Sequence, residues 1–167
     1  MTMMRNPIKT RRRLKRAENG AQLVELAIVL PIFLALLVAV AEFGLYFYTY
    51  TTLSKATRVA ARYITSKPYN PNDPDNSNNS IAQAKKLAVC GRTDICSAGS
   101  EIISGFTTSN VSITTTGGNG FFPETITVQI SGFNYQPLFD LSRFAGGQSW
   151  QNVSVAPSTT MRYLLEN

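Results

Sequence analysis

The chain has 167 residues, with 16 Lys+Arg, 10 Asp+Glu and no histidine, for a formal net charge of +6. Without histidine there is no Ser-His-Asp or Cys-His nucleophile pair and no His-containing metal site; the two cysteines have no companion ligands, so neither metal, cofactor nor small-molecule substrate is expected. Seven basic residues (Arg5, Lys9, Arg11, Arg12, Arg13, Lys15 and Arg16) fall in residues 1–20 beside one acid, Glu18, and the rest carries nine of each sign, so no nucleic-acid-binding body is expected.

Residues 1–20 read as a basic cytoplasmic leader. The run "RRRLKR" fits the positive-inside rule, although Lys55, Arg58, Arg62 and Lys67 beyond the apolar run make the asymmetry partial. Residues 26–41 are uncharged, short of the roughly 20 residues a bilayer demands. Extension to 21–44 reaches that length and sets Glu25 near one face of the span and Glu42 near the other. Pro31 removes one backbone donor and predicts a kink rather than a stop. Phe43, Tyr46, Phe47, Tyr48 and Tyr50 then form an aromatic belt of the kind found at membrane interfaces.

Residues 45–66 keep a helical rhythm. Leu53, Ala56, Ala60, Tyr63 and Ile64 recur at three- and four-residue steps, and Lys55, Arg58 and Arg62 form a separate, solvated stripe. One helix of more than forty residues is therefore predicted, beginning in the membrane and continuing outside it. Residues 67–167 form the head. "KPYNPNDPDNSNNS" (67–80) reads as loop; Asp73 and Asp75 lack the glycine and terminal glutamate of a calcium loop. Ser80 and Gln83 make a capping box that predicts a short helix over "IAQAKKLAVC".

Cys90 and Cys96, in "CGRTDIC", read as a small disulfide loop outside the cytoplasm, with two free thiols as the alternative. From Phe106 the pattern shifts to period two, and "NVSITTT", "ETITVQIS" and "QNVSVAPSTTM" are strand candidates, with "GGNG" (117–120) as a hairpin turn. "FNYQPLFDLSRFAGGQSW" is an aromatic-rich excursion, read as a cover for the sheet, with contact to a partner as the alternative. The N-x-S/T triplets at Asn78, Asn110 and Asn152 are assigned no function.

A basic leader ending in glycine, a glutamate five residues later and an unbroken apolar helix resemble the type IV prepilin layout. The closer resemblance is to the TadE-like family of tight-adherence (Tad/Flp) pilus systems. It rests on "GAQLVELAIVLPIFLALLVAVAEFGLYFY", with its glutamate, the mid-helix "LP" and the "EFG", and continues through "KATRVAARY". It implies a minor pseudopilin-like subunit needed for pilus assembly, cut by a prepilin peptidase between Gly20 and Ala21, with Glu25 as fifth residue of the mature chain and the candidate for pairing with other pilin-like subunits. Leu26 follows the glutamate where the major pilin of such systems has tyrosine, so the likeness is to an accessory subunit rather than to the fibre's main one.

Three rivals remain. A secretory signal cut after "AVA" at residues 39–41 would release a soluble domain, but an acid within the apolar stretch is unusual there. Twin-arginine export is approximated by "TRRRLK", yet no cofactor motif follows. An uncleaved single-pass anchor would carry an adhesive head. The expected fold is α+β and pilin-like: a long N-terminal helix, its first half transmembrane, packed on a small antiparallel sheet. The expected location is a bacterial inner membrane, amino terminus cytoplasmic and head extracytoplasmic. No catalysed reaction is expected.

Overall fold

The computed structural model describes residues 8–67, 74–118, 123–139 and 153–163, with side chains from Gly20 in the first helix and from Ser80 in the second. It divides into two compact units, Met1–Phe43 and Gly44–Asn167. Helix α1, Ile8–Thr65, runs for 58 residues and passes through Pro31 without ending. Over residues 26–41 it is apolar on every side and exposed: Leu26, Ile28, Ile32, Phe33, Leu36 and Leu37 all face outward. A helix that is hydrophobic all round requires either a protein core or lipid around it. Gly20–Thr65 contains a stretch long and apolar enough to cross a membrane.

The second unit is an α+β head built on the last turns of α1. The three- and four-residue spacing of Leu53, Ala56, Ala60 and Ile64 puts them on one buried stripe, joined by Ala61, while Lys55, Arg58 and Arg62 lie exposed on another. Helix α2, Pro74–Cys90, adds Ala84, Ala88 and Val89 to the same core, and Tyr63 on α1 donates its hydroxyl to Gln83 on α2. The predicted start at Ser80 is corrected: α2 begins six residues earlier, inside the stretch read as loop. Proline suits a helix's first turn, where its missing N–H is not needed, and the Asn- and Ser-rich composition that suggested a loop did not outweigh the continuation of the helix. Residues 68–73, including Asp73, lie outside the described residues. At the other end, Gly91 takes a φ of 68° just past α2 and donates its N–H to Leu87 O, a left-handed helix stop that favours glycine.

Strands β1 (Val111–Thr116), β2 (Thr125–Ile130) and β5 (Ser158–Arg162) form an antiparallel sheet in the order β1-β2-β5. The alternation read from the sequence sets the register. Val111 opposes Ile130 and Ile113 opposes Val128, whereas Ser112 opposes Gln129 and Thr114 opposes Thr127. On the buried face Val111, Ile126, Val128 and Ile130 pack against Phe106, Phe133, Val155 and the helical stripe. The other face carries hydroxyls, with Thr127 and Thr160 sharing a hydrogen bond of 2.8 Å. β1 and β2 are hairpin partners, as expected from "GGNG", but residues 119–122 of the connection lie outside the described residues. Gly117 has a φ of 73° and lies against Glu124, whose Cβ would approach an added Cβ to 2.9 Å.

"QNVSVAPSTTM" does not form one strand. β4 (Val153–Ser154) pairs with β3 (Asn134–Tyr135) in a separate two-stranded ribbon, and β5 starts only after Pro157. Proline has no N–H to give a ladder, so the chain changes sheets there. The crossing is held from both sides, by Val155 N–H to Phe133 O at 2.9 Å and by Ile130 N–H to Pro157 O at 3.0 Å. Of the aromatic excursion, residues 133–139 are described; 140–150 lie outside the described residues.

Candidate processing and membrane-anchoring site

Gly20, Ala21 and Glu25 all lie within α1 and are exposed. Nothing in the structure lies within 4 Å of a Cβ built on Gly20, so no packing within the chain requires glycine there. Ala21 and Glu25 are four residues apart, hence on one helix face and about 6 Å apart along the axis. Helix α1 begins at Ile8, so Glu25 stands well inside a helix and not in its first turn. At the other end of the apolar stretch the sequence sets Glu42 near the second face of the span, with no expectation of its burial. Glu42 is buried, 9% exposed, and engaged with a partner, as burial of a carboxylate demands.

Past the apolar stretch Phe47, Tyr48 and Tyr50 are exposed, as a membrane-interface belt would be, but Tyr46 turns inward and meets Tyr135 edge-to-face with ring centroids 5.6 Å apart. In the head, Cys90 and Cys96 form a disulfide with Cα atoms 5.7 Å apart. The cross-link closes the loop that follows α2, where Ile102 N–H donates to Val89 O and Ser100 Oγ to the Cys90 sulfur. In that loop the Ile95 N–H, and next the residue's own N–H, hold the exposed Asp94 carboxyl below the usual carboxylate range, helped by Arg92 and Lys86.

Two polar residues have structural roles that sequence reading did not find. Thr57 is fully buried and joins α1 to β5 through Thr159, its Oγ1 2.9 Å away. Asn110 belongs to one of the triplets that were assigned no function. Its Oδ1 accepts from Thr107 N–H and Oγ1, and its Nδ2 donates to Ser131 O. The only signal for either was a polar residue at a core-facing or strand-leading position. Among the described residues no group of three or more His, Cys, Asp or Glu side chains is arranged to hold a metal ion.

One long helix, exposed and apolar around its circumference over residues 26–41 and continued into a small α+β head, gives the chain one candidate membrane anchor among the described residues, near the amino terminus. The family model of TadE-like proteins matches residues 20–62, about a quarter of the chain, and that segment is similar to the family. The match covers the residues that carried the resemblance in the sequence, from Gly20 through the apolar run into the helical continuation. No curated protein and no solved structure matches the chain significantly.

Proposed function

We propose that this protein is a minor pseudopilin-like subunit required for assembly of a tight-adherence pilus, and that a prepilin peptidase cuts it between Gly20 and Ala21. The observation that carries the proposal is the position of the family match. It opens at Gly20, the residue expected before the cut, and omits the basic leader. In this reading residues 1–20 are a cytoplasmic leader, residues 21–44 cross the inner membrane, residues 45–66 carry the helix outward, and residues 67–167 make an extracytoplasmic head. The subunit is structural and catalyses no reaction. Its partners are the membrane, the peptidase and other pilin-like subunits, which Glu25 engages.

The open surroundings of Gly20 make the test selective. A Cβ built there has nothing within 4 Å beyond its own helix backbone, and valine or alanine is a better helix former than glycine. Gly20→Val therefore leaves the fold intact and acts only on the peptidase's close approach to the backbone. The wild-type protein extracted from membranes is expected to begin at Ala21, and Gly20→Val to retain residues 1–20 by intact mass. A wild-type chain beginning at Met1 or Thr2 would identify an uncleaved anchor, and one beginning at Glu42 a secreted domain. Normal shortening of Gly20→Val would remove the role given to the glycine.

A further inference from the structure

The three-stranded sheet ends on one side at β1, and its hydrogen bonds show which backbone groups of that strand turn outward. In an antiparallel ladder, alternate residues direct their N–H and C=O to the same neighbour. Asn110 O accepts from Ser131 N–H at 2.8 Å and Thr116 O from Glu124 N–H at 3.1 Å, so the even-numbered residues of β1 face β2. Val111, Ile113 and Thr115 therefore turn their backbone groups away from the sheet. Val111 N–H is taken by Thr108 O, in the short helical turn before the strand. Among the described residues no hydrogen bond reaches the N–H or C=O of Ile113 or Thr115.

An open edge invites a further strand, and proteins commonly blunt it with a charge, a proline or a bulge. The opposite edge of this sheet, β5, is bracketed by Pro157 and Arg162. β1 has neither device: Val111–Thr116 is uncharged and free of proline, and Gly117 and Gly118 follow it. The solvent face of the sheet says what strand fits. Thr114 opposes Thr127 and Thr127 opposes Thr160, so a row of threonines crosses the sheet and stops, exposed, at Thr114. A strand that continues this row carries hydroxyls at alternate positions and no charge. With Ser112, Thr114 and Thr116 on that face, β1 is itself such a strand.

We propose that β1 pairs with β1 of a second copy of this chain, antiparallel and about a two-fold axis at Thr114, joining two three-stranded sheets into one. In that register Ile113 of each copy faces Thr115 of the other, and the open N–H and C=O of both residues are paired. On the solvent face Thr114 meets Thr114 and Ser112 meets Thr116, the cross-strand hydroxyl contacts that favour pairing. Neither edge is charged, so the symmetric contact sets no like charges opposite one another. The inference concerns the head alone and does not rest on the proposed function or on residues 21–44 crossing a membrane.

Cysteine pairing reads the register. The native cysteines are joined to each other, so an added cysteine is the chain's one free thiol. Thr114→Cys, Thr127→Cys, Ser112→Cys and Thr116→Cys are made in the full chain, purified in detergent micelles and oxidised with copper–phenanthroline. Linked dimer is read on a non-reducing gel, and peptide mass spectrometry checks that Cys90 and Cys96 remain joined. Across the axis the Thr114 Cα atoms stand about 4.5 Å apart, as in a non-hydrogen-bonded pair, within reach of a disulfide. The Thr127 Cα atoms stand three strand spacings apart, roughly 14 Å. Thr114→Cys is therefore expected to form linked dimer and Thr127→Cys to stay monomeric. Ser112→Cys and Thr116→Cys are expected to link to each other when co-expressed and to lose that linkage when each is expressed alone. If Thr114→Cys links no more than Thr127→Cys, pairing with a second copy is overturned and the edge is left to a strand of another protein. If the co-expressed pair links no better than either variant alone, the copies do not meet in this register and the paired-strand proposal is overturned.

Discussion

The hydrogen bond between Thr57 on α1 and Thr159 on β5 fixes the third strand of the sheet to the helix, and its polarity follows from its surroundings. Thr57 Oγ1 donates to Ser54 O at 2.9 Å. A hydroxyl has one proton, so in the 2.9 Å contact with Thr159 it is Thr159 that donates and Thr57 that accepts. Valine is nearly isosteric with threonine and also β-branched, so replacing either residue leaves neither a cavity nor a large change in propensity. Thr57→Val strands the Thr159 proton beside a core where only part of it reaches water. A lost bond plus an incompletely satisfied donor costs about 1–2 kcal/mol. Thr159→Val leaves the Thr57 proton on Ser54 O and removes only an incoming donor, at about 0.5–1 kcal/mol. The double variant has no stranded group, so the two costs are expected to fall short of additivity by about 0.5–1 kcal/mol. Urea unfolding of the full chain in detergent micelles, followed by the fluorescence of Trp150, the single tryptophan, measures all four corners of the cycle. A larger loss in Thr159→Val than in Thr57→Val would reverse the assigned polarity. Additivity within about 0.3 kcal/mol would show that the contact does not couple helix and sheet.

Removing the cross-link with Cys90→Ala and Cys96→Ala together is expected to cost about 2 kcal/mol by the loop-entropy estimate for so short a loop; in the wild type both thiols should resist alkylation until a reductant is added, and rapid labelling before reduction would place the head in a reducing compartment. Asn110→Ala breaks the bonds to Thr107 and Ser131 and should lower stability by about 1–2 kcal/mol, whereas an unchanged unfolding midpoint would show that water replaces the amide fully. Glu25→Gln keeps the shape of the side chain and removes its charge. The variant should be cut and membrane-bound as the wild type is but should not co-purify with partner pilins, and wild-type recovery of those partners would reject the pairing role.

Where burial follows periodicity, the sequence was a reliable guide. The stripe from Leu53 to Ile64 is buried and its basic neighbours are exposed, and "NVSITTT" and "ETITVQIS" became paired strands in a register that places every Val and Ile of β1 and β2 on one face. The start of α2 was misjudged because Asn, Ser and Asp are read as turn formers from their local hydrogen bonding, a preference that tertiary packing of Ala84 and Ala88 overrides. The split of the last strand was announced by Pro157, but which partner each half takes depends on Phe133 and Ile130, distant in sequence. Tyr46 shows the same limit. Its type marks an interfacial belt, and only the fold reveals that it serves as the seat of Tyr135. The long apolar helix and the resemblance over residues 20–62 were legible in the sequence; the tie from Thr57 to the sheet and the burial of Glu42 were not, since each depends on a partner that no local pattern specifies.

The continuity of α1 through Gly20 bears on what processing would do to Glu25. In the uncut chain the amides around Ala21 lie in the interior of a helix that begins at Ile8, so no helix terminus faces the glutamate. A cut between Gly20 and Ala21 would remove the preceding turns, free the first N–H groups of the remaining helix and create an α-amino group, cationic at neutral pH from a reference pKa near 8. Glu25 would then stand one turn from the positive end of a helix dipole and within reach of that amine, or of a neighbouring subunit's. Two unit charges 4 Å apart attract by about 4 kcal/mol at an effective dielectric of 20, against about 2.5–3.5 kcal/mol for a carboxylate at the centre of a membrane helix, an upper bound for Glu25 near one face of the proposed span. In that reading the uncut protein would bear the cost without the partner. On the proposed function, cleavage is therefore the event that makes Glu25 competent to pair, and the order of steps follows: the leader is removed first and the subunits join afterwards. A double variant with Gly20→Val and Glu25→Gln is expected to be no more defective in joining its partners than Gly20→Val alone. Further loss of partner recovery in the double variant would show that the glutamate acts before the cut.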